Sequence, residues 1–483
     1  MPPITRRTFI QSTAATAGAL SLMPTYSKVL GANEDLRVAL IGFNSRGRAL
    51  LGQFGGLDGV RVTALCDVDE NVLARESNNR PDAFATTDLR EILDRDDVDA
   101  VVSATPNHWH ALLTIWACQA GKDVYIEKPV SHNLWEGVQM TAAARKYGRV
   151  VQSGMQNRSD TALQEFYTDL HDGMFGEVKH MRAMCCKTRS SIGKRETPLT
   201  PPDHINYDMW LGPAADEPIF RNNLHYDWHW MWNTGNADIG NQGPHELDLL
   251  RWAVDDPMDY PTNVQCFGGR FKWNDAGDTP NVQVAMFDYA GVPCIHETCD
   301  IPYPHPDNDS RMVAYTKDGI NVGVMITCEE GEFRGGRGGG VVLDPDGNVI
   351  KRYRGGSGDR HVRNFVEAVK ARDHTMLTSE VEGAAVSAGL AHVSNIAWRV
   401  GHAMGKEDVE ASLGTVDQHR EALDRYTAYL GERGVDLGDE QWTCGPKLTF
   451  DSAAMRFTGP MDDAANALVR REYRDGFAVP EEV

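Results

Sequence analysis

"VALIGFNSRGRAL", residues 38–50, joins an apolar run that breaks at Gly42 to a helical pattern that opens at Gly47. A strand–turn–helix junction of this kind is where the dinucleotide fingerprint Gly-x-Gly-x-x-Gly sits. Its first glycine makes the tight turn, its second lets the backbone approach a pyrophosphate, and its third packs helix on strand. Gly42 and Gly47 hold the first and third positions, with Asn44 in the middle. Asn enters left-handed backbone conformations more readily than most residues, and its amide can donate to a phosphate oxygen. Gly42, Phe43, Asn44, Ser45, Arg46 and Gly47 therefore read as a nucleotide turn, with Arg46 adding positive charge at a helix N-terminus, where anions bind. Asp67, twenty residues after Gly47, ends the next apolar run "VRVTALCDVD" (60–69). A carboxylate there accepts from ribose hydroxyls and repels a 2′-phosphate, which favours NAD over NADP.

Outward from this turn the chain alternates strand-like and helical patterns. "VDAVVSATPN" (98–107), "DVYIEKPV" (123–130) and "RVVQSGMQNR" (149–158) read as strands, with helices over "HWHALLTIWACQAG" (108–121) and "LWEGVQMTAAARKYG" (134–148). Such alternation predicts a doubly wound parallel sheet over 35–155. Further on, "VQVAMFDYAG" (282–291), "VPCIHETCD" (292–300) and "INVGVMITCEE" (320–330) read as strands between turns. The run "RGGRGGG" (334–340) reads as a flexible loop near an active-site rim.

The chain has 483 residues, 41% of them hydrophobic, enough for two or three domains. Its net charge of −21 argues against nucleic-acid binding, which needs clustered Lys and Arg. Arg6 and Arg7, followed by Phe9, Ile10 and a weakly apolar run, resemble a twin-arginine export signal over 1–32, too short and polar to span a membrane. That places the protein in the periplasm, anchored if the signal is retained. Nine cysteines without a CxxC pair suggest neither a disulfide framework nor a zinc site.

"EKPV" (127–130), "TPNHWHA" (105–111), "GPHELDLLRW" (243–252), "HVRNFVEAVKAR" (361–372) and "EGAAVSAGLAHVSNIAWRVG" (382–401) join the fingerprint in a wider pattern. As a set, over about 36–402, they resemble the glucose–fructose oxidoreductase / inositol dehydrogenase / MocA (Gfo/Idh/MocA) family. The resemblance implies an α/β Rossmann domain followed by an α+β domain (156–372) with a large open, mainly antiparallel sheet whose face often carries oligomer contacts. It further implies a late helical segment (373–402) packing back on the Rossmann domain. Residues 403–483 carry no motif and read as an extension packing on the core or a partner.

The resemblance also assigns roles. The nicotinamide lies beside Lys128, which binds a substrate hydroxyl and favours its deprotonation as hydride leaves. Thr105, Pro106, Asn107, His110, Glu127 and Gln156 complete the cofactor site, and Pro129 follows a cis bond. His245 matches the general acid/base, able to titrate near neutrality, with Asp248 able to orient it or simply to sit on the helix. Asn241 stands where the family has a relay Asp, and an amide cannot accept that proton. Arg158, Tyr207, Trp210, Trp228, His229 and His245 are the candidate substrate contacts, aromatic faces suiting sugar rings. His225, His229 and His245 lack compact ligand spacing, so no metal is expected.

The reading is an exported NAD(P)-dependent oxidoreductase, NAD preferred, acting on a carbohydrate as a homo-oligomer, dimer or tetramer. Outside the cytoplasm no free NAD pool is expected, so the cofactor should be held tightly and recycled in each cycle. One alternative is an NAD-dependent glycoside hydrolase or lyase using transient oxidation and elimination. Another is a non-catalytic sugar-binding protein of the same fold.

Overall fold

The computed structural model describes residues 35–305, 308–438 and 441–483. The twin-arginine segment 1–32 lies outside the described residues. Strands β1 (Leu36–Ile41), β2 (Val60–Cys66), β3 (Phe84–Thr86), β4 (Ala100–Ser103), β5 (Asp123–Ile126) and β6 (Val151–Ser153) form one parallel sheet in the order β3-β2-β1-β4-β5-β6. Every residue of β4, β5 and β6 is buried, as expected for a parallel sheet covered on both faces. Helices α1 (Arg46–Gly55), α2 (Glu70–Ser77), α3 (Leu89–Leu93), α4 (His110–Gln119) and α5 (Leu134–Tyr147) connect them. Strand order reverses between β1 and β4, and that reversal opens a crevice at the carboxyl ends of the strands.

Helix α6 (Thr161–His171), capped by Asp160, leads into β7 (Val178–Cys186). Three helices follow: α7 (Tyr207–Leu211), α8 (Ala237–Asn241) and α9 (Pro244–Ala253). The second sheet then builds from β8 (Asn263–Gly269), β9 (Val282–Tyr289) and β10 (Val292–Cys299). A short hairpin of β11 (Tyr303–His305) and β12 (Asn308–Val313) stands apart from it. The sheet continues with β13 (Val322–Cys328), β14 (Glu332–Gly336), β15 (Gly339–Leu343) and β16 (Val349–Arg354). After α10 (Arg360–Ala371) and α11 (Val381–Arg399) come β17 (His402–Met404), α12 (Lys406–Ser412) and α13 (Asp417–Glu432). Strands β18 (Trp442–Cys444), β19 (Leu448–Asp451) and β20 (Arg456–Thr458) complete a twelve-stranded sheet, antiparallel except where β10 pairs with β7.

One face of this sheet packs on α6, α9 and α11 through a core that includes Phe166, Leu250, Phe287 and Leu390. The other face is covered by α13, whose Leu423, Tyr426 and Leu430 pack with Phe267, Ile295 and Trp442. Helix α11 is buried along most of its length and lies against α5, α9 and β8, joining the two sheets into one body. Residues 403–483 are part of that body. They supply all but the first residue of β17–β20, and Phe477 then returns to stack edge-on against Trp109 of the first domain at 5.7 Å.

The glycine run 334–340 is not a loose loop. β14 and β15 pair through Gly335↔Gly340 and Gly336↔Gly339, leaving only Arg337 and Gly338 in the turn. A main-chain ladder needs no side chains, and the Gly338 amide donates to Asp160 at 2.8 Å to pin the tip. All nine cysteines are buried and unpaired. Among the described residues no helix is long and apolar enough to cross a membrane.

Candidate active site

The crevice at the strand reversal is a cleft of about 260 Å³ lined by Gly42–Arg46, Asp67, Thr105–Asn107, His110, Glu127, Lys128 and Asn241, and closed from above by residues of the second domain. Gly42 turns at φ +74°, and a Cβ on Gly47 would lie 1.9 Å from the Gly42 carbonyl oxygen, so both ends of the turn require glycine. Ser45 precedes α1 without a side-chain cap bond, leaving the first amides of that helix open to the cleft. Asn44 is exposed beside them. Asp67 is buried and accepts from the Phe43 amide at 2.9 Å and the Asp69 amide at 3.1 Å. Burial pushes its carboxyl up, and those two donors offset part of the shift. Each oxygen keeps a lone pair for a further donor. An uncapped helix start, a glycine turn and a carboxylate at the end of β2 fit an NAD-type dinucleotide. Replacing Asn44 by glycine should raise the off-rate of bound nucleotide measurably; an unchanged off-rate would remove the phosphate contact assigned to its amide.

Arg46, at the start of α1, is tied to the end of β5. Its guanidinium pairs with Glu127 at 2.7 Å, and Gln156 donates to the same carboxylate oxygen at 3.1 Å. Glu127 is thus a strut between α1 and the end of β5, and Gln156 braces it. His110 is likewise a brace, its ring spanning the carbonyl oxygens of Thr105 (2.8 Å) and Pro129 (2.6 Å). Asn107 donates to Asn236 across the domains at 3.0 Å.

The Lys128–Pro129 bond is cis. Lys128 Nζ donates to the Asn241 carbonyl oxygen, with Asn241 Oδ1 a further 3.5 Å acceptor. Burial lowers the Lys128 ammonium from its ordinary value, against the opposing pull of Glu127, Asp238 and Glu246. Asn241 Nδ2 donates to Asp238 at 2.8 Å, which turns its oxygen toward the lysine. Asp238 is fully buried and gripped by Arg189 through two bonds of 2.9 Å. Arg189 holds the Asp238 carboxyl well below the usual range, while burial and the Asp238 charge push its neighbour Asp300 well above it. The charge of this pair therefore sits on Asp238, which Arg189 neutralises. Asp238→Ala strands the Arg189 charge and should cost about 3–5 kcal/mol, read as a drop in the thermal midpoint; a loss under about 1 kcal/mol would show that water replaces the pair.

His245, near the start of α9, is buried. Arg337 at the β14–β15 tip donates to its Nε2 at 3.4 Å, and its Nδ1 has no partner among the described residues. Burial, followed by the charges of Lys128, Arg337 and Arg46, holds His245 well below the ordinary histidine value. It is a neutral imidazole facing cations.

The segment 204–230 straps the second domain across the nucleotide cradle. The Glu70 amide donates to His204 O (2.9 Å), the Asn206 amide to Val68 O (2.8 Å), and His225 Nε2 meets Asp69 at 2.9 Å. Trp109 Nε1 donates to Met209 O at 2.7 Å. Ile205, Trp210, Leu211, Ile219 and Leu224 form the strap's own apolar cluster, which fixes its shape. Met209, Trp210, His225, Tyr226, Trp228 and His229 then roof the cleft.

Residues 36–155 match a model described as an oxidoreductase family with an NAD-binding Rossmann fold, and residues 187–290 match that family's C-terminal alpha/beta domain. The chain belongs to the Gfo/Idh/MocA oxidoreductase family. Two relatives from Shewanella sp. (strain ANA-3) are each 30% identical. Glycosyl hydrolase family 109 protein 2 matches over 37% of this chain and 45% of its own, and glycosyl hydrolase family 109 protein 1 over 59% and 56%. The chain thus spans about half the length of these curated relatives. Among solved structures, the WlbA dehydrogenase from Bordetella pertussis, in complex with NADH and UDP-GlcNAcA, shares the fold with a TM-score of 0.55 at 18% identity, covering 74% of this chain and 95% of that one.

Within this Gfo/Idh/MocA chain some candidates stand elsewhere. Arg158 is buried in ion pairs with Asp248 (2.6 Å) and Asp256 (2.5 Å), so its charge is spent on holding α9. Asp248 correspondingly binds Arg158 and Ser387 rather than His245. Tyr207 stacks on Trp210 at 5.8 Å, outside the lining of the cleft. Trp228 does line it, stacked on His229 at 3.6 Å. His229 is pushed down to about 3 by burial and is neutral. Sequence reading missed Arg337, Asp238 and Arg189. The first lay in a stretch read as flexible, and nothing in the spacing of the other two says that they meet.

Proposed function

We propose that the chain is an oxidoreductase that keeps NAD bound through its catalytic cycle and acts on a sugar, polyol or glycoside. The observation that carries this is the strap 204–230, which roofs the nucleotide cradle while Lys128 opens on the same cleft. When bound, NAD supplies a hydride acceptor that can return the hydride later. Lys128, its ammonium destabilised by burial, holds a substrate hydroxyl and takes its proton. The Asp238–Asn241 pair orients that lysine without competing for the proton. Trp228 offers an aromatic face for a sugar ring.

A second reading, cleavage of a glycoside through transient oxidation and elimination, draws support from two observations. His245 is neutral and its Nδ1 is unpaired, which suits a base for a carbon-bound proton beside a new carbonyl. The relatives above carry glycosyl hydrolase names. One experiment separates the readings. Purified protein is denatured to release stoichiometric NAD, and native protein is mixed with glycosides while reduced-nicotinamide absorbance and free sugar are followed. Free sugar without net reduction selects cleavage, and lasting reduction selects oxidoreduction. Absence of both bound NAD and nucleotide affinity overturns both and leaves a sugar-binding protein. Export belongs to the same proposal, since retained NAD needs no periplasmic pool. Arg6→Lys with Arg7→Lys should then hold the protein in the cytoplasm on fractionation.

A further inference from the structure

A second cleft, of about 490 Å³, borders the same reacting centre. Asn241 lines the nucleotide cleft, and the next residue, Gln242, lines this one; the two share no lining residue. Arg337, on His245, stands at its edge. Its volume lies within the range of small-molecule pockets, roughly 300–1,000 Å³.

The charges inside do not balance. Arg337 donates only to neutral partners: Asn157 Oδ1 at 3.2 Å, Gln156 Oε1 at 3.4 Å and His245. Lys187 lies at the end of β7, and its ammonium has no hydrogen-bond or ion-pair partner among the described residues. Arg334, by contrast, is already paired with Glu332 at 2.6 Å. The only carboxyl in the lining is Glu246, which accepts from Gln242 Nε2 at 3.0 Å. Burial pushes Glu246 up to about 7, with Lys187 and Arg337 opposing the shift. One carboxyl whose charged form burial disfavours cannot neutralise two cations.

We propose that this cleft is the subsite for a sugar bearing an anionic substituent, a carboxylate or a sulfate, held between Lys187 and Arg337 with Glu246 beneath. The proposal rests on the oxidoreductase reading above and names its substrate class. Two oxygens of either group can pair with the guanidinium fork. Its charge drives Glu246 toward the protonated form, which turns an acceptor into a donor. A neutral sugar leaves both cations without a counter-charge.

The test compares methyl glucuronide, glucose 6-sulfate and methyl glucoside on NAD-loaded protein. Binding is read by calorimetry and the response of bound nicotinamide by absorbance. One or both anionic sugars should bind at least tenfold more tightly than the neutral one, and the better of the two identifies the substituent. Lys187→Glu should erase or invert that preference, and Lys187→Arg should restore most of it. Equal or better binding of methyl glucoside, or a preference untouched by Lys187→Glu, overturns the subsite while the redox reading stands. Failure of every sugar to alter the bound nicotinamide overturns the redox reading and this inference with it.

Discussion

Lys128→Met should lower the rate of nicotinamide reduction by about 10²–10⁴-fold, the range for loss of a positioned acid or base. Methionine matches the length of the lysine stem and removes only the ammonium, so the fold around the cis Lys128–Pro129 bond is kept. The single-turnover rate is the right measure, because product release can mask a chemical step. The pH dependence follows from the direction of the shift. Burial lowers the Lys128 ammonium, so the neutral, proton-accepting form is reached at a lower pH than for an ordinary lysine. Oxidation should therefore rise with pH and level off below the usual lysine range. Lys128→Arg removes that limb, since guanidinium stays protonated. His245 does not set it, because its imidazole is already neutral across the same interval. A limb that survives in Lys128→Arg would assign the titration to another group.

How much of this site was legible depends on how each part is encoded. The parallel sheet was legible because β4 and β5 are buried throughout, β1 is buried at all but Arg37, and each is followed by a helical period. The nucleotide turn was legible because local backbone demands glycine at two fixed positions. Lys128, Asn241 and His245 came from motif resemblance, and the structure joins Lys128 to Asn241 directly. Arg46 shows the limit. Its position at a helix start shows where its positive charge lies, but not that Glu127, 81 residues away in the chain, pairs with it. The partners of Arg158, Asp248 and Arg337 were hidden for the same reason, because tertiary packing between α9, residues 156–159 and the β14–β15 tip sets them. The glycine run failed differently, because low side-chain content signals mobility in a sequence yet costs a main-chain ladder nothing.

Gly47→Ala should leave a folded protein that no longer holds its nucleotide. The new Cβ would sit 1.9 Å from the Gly42 carbonyl oxygen and 2.9 Å from its carbon, backbone atoms that no rotamer change can move. Overpacking of this kind costs about 1–3 kcal/mol, and the only local relief is to swing the 42–46 turn outward. That movement carries the Phe43 amide away from Asp67 and misaligns the first amides of α1. The loss of bound nucleotide adds a second cost, because a ligand at 1,000 times its Kd contributes about 4.1 kcal/mol of apparent stability. The thermal midpoint of the purified variant should therefore fall by more than strain alone explains. Added NAD should recover only part of the drop, whereas the wild-type protein stripped of NAD should recover all of it. Full occupancy in Gly47→Ala would show that the turn tolerates the methyl group and that the strap 204–230, rather than the turn, holds the cofactor. The two elements can then be separated by His225→Ala, which removes the 2.9 Å contact to Asp69 without touching the turn.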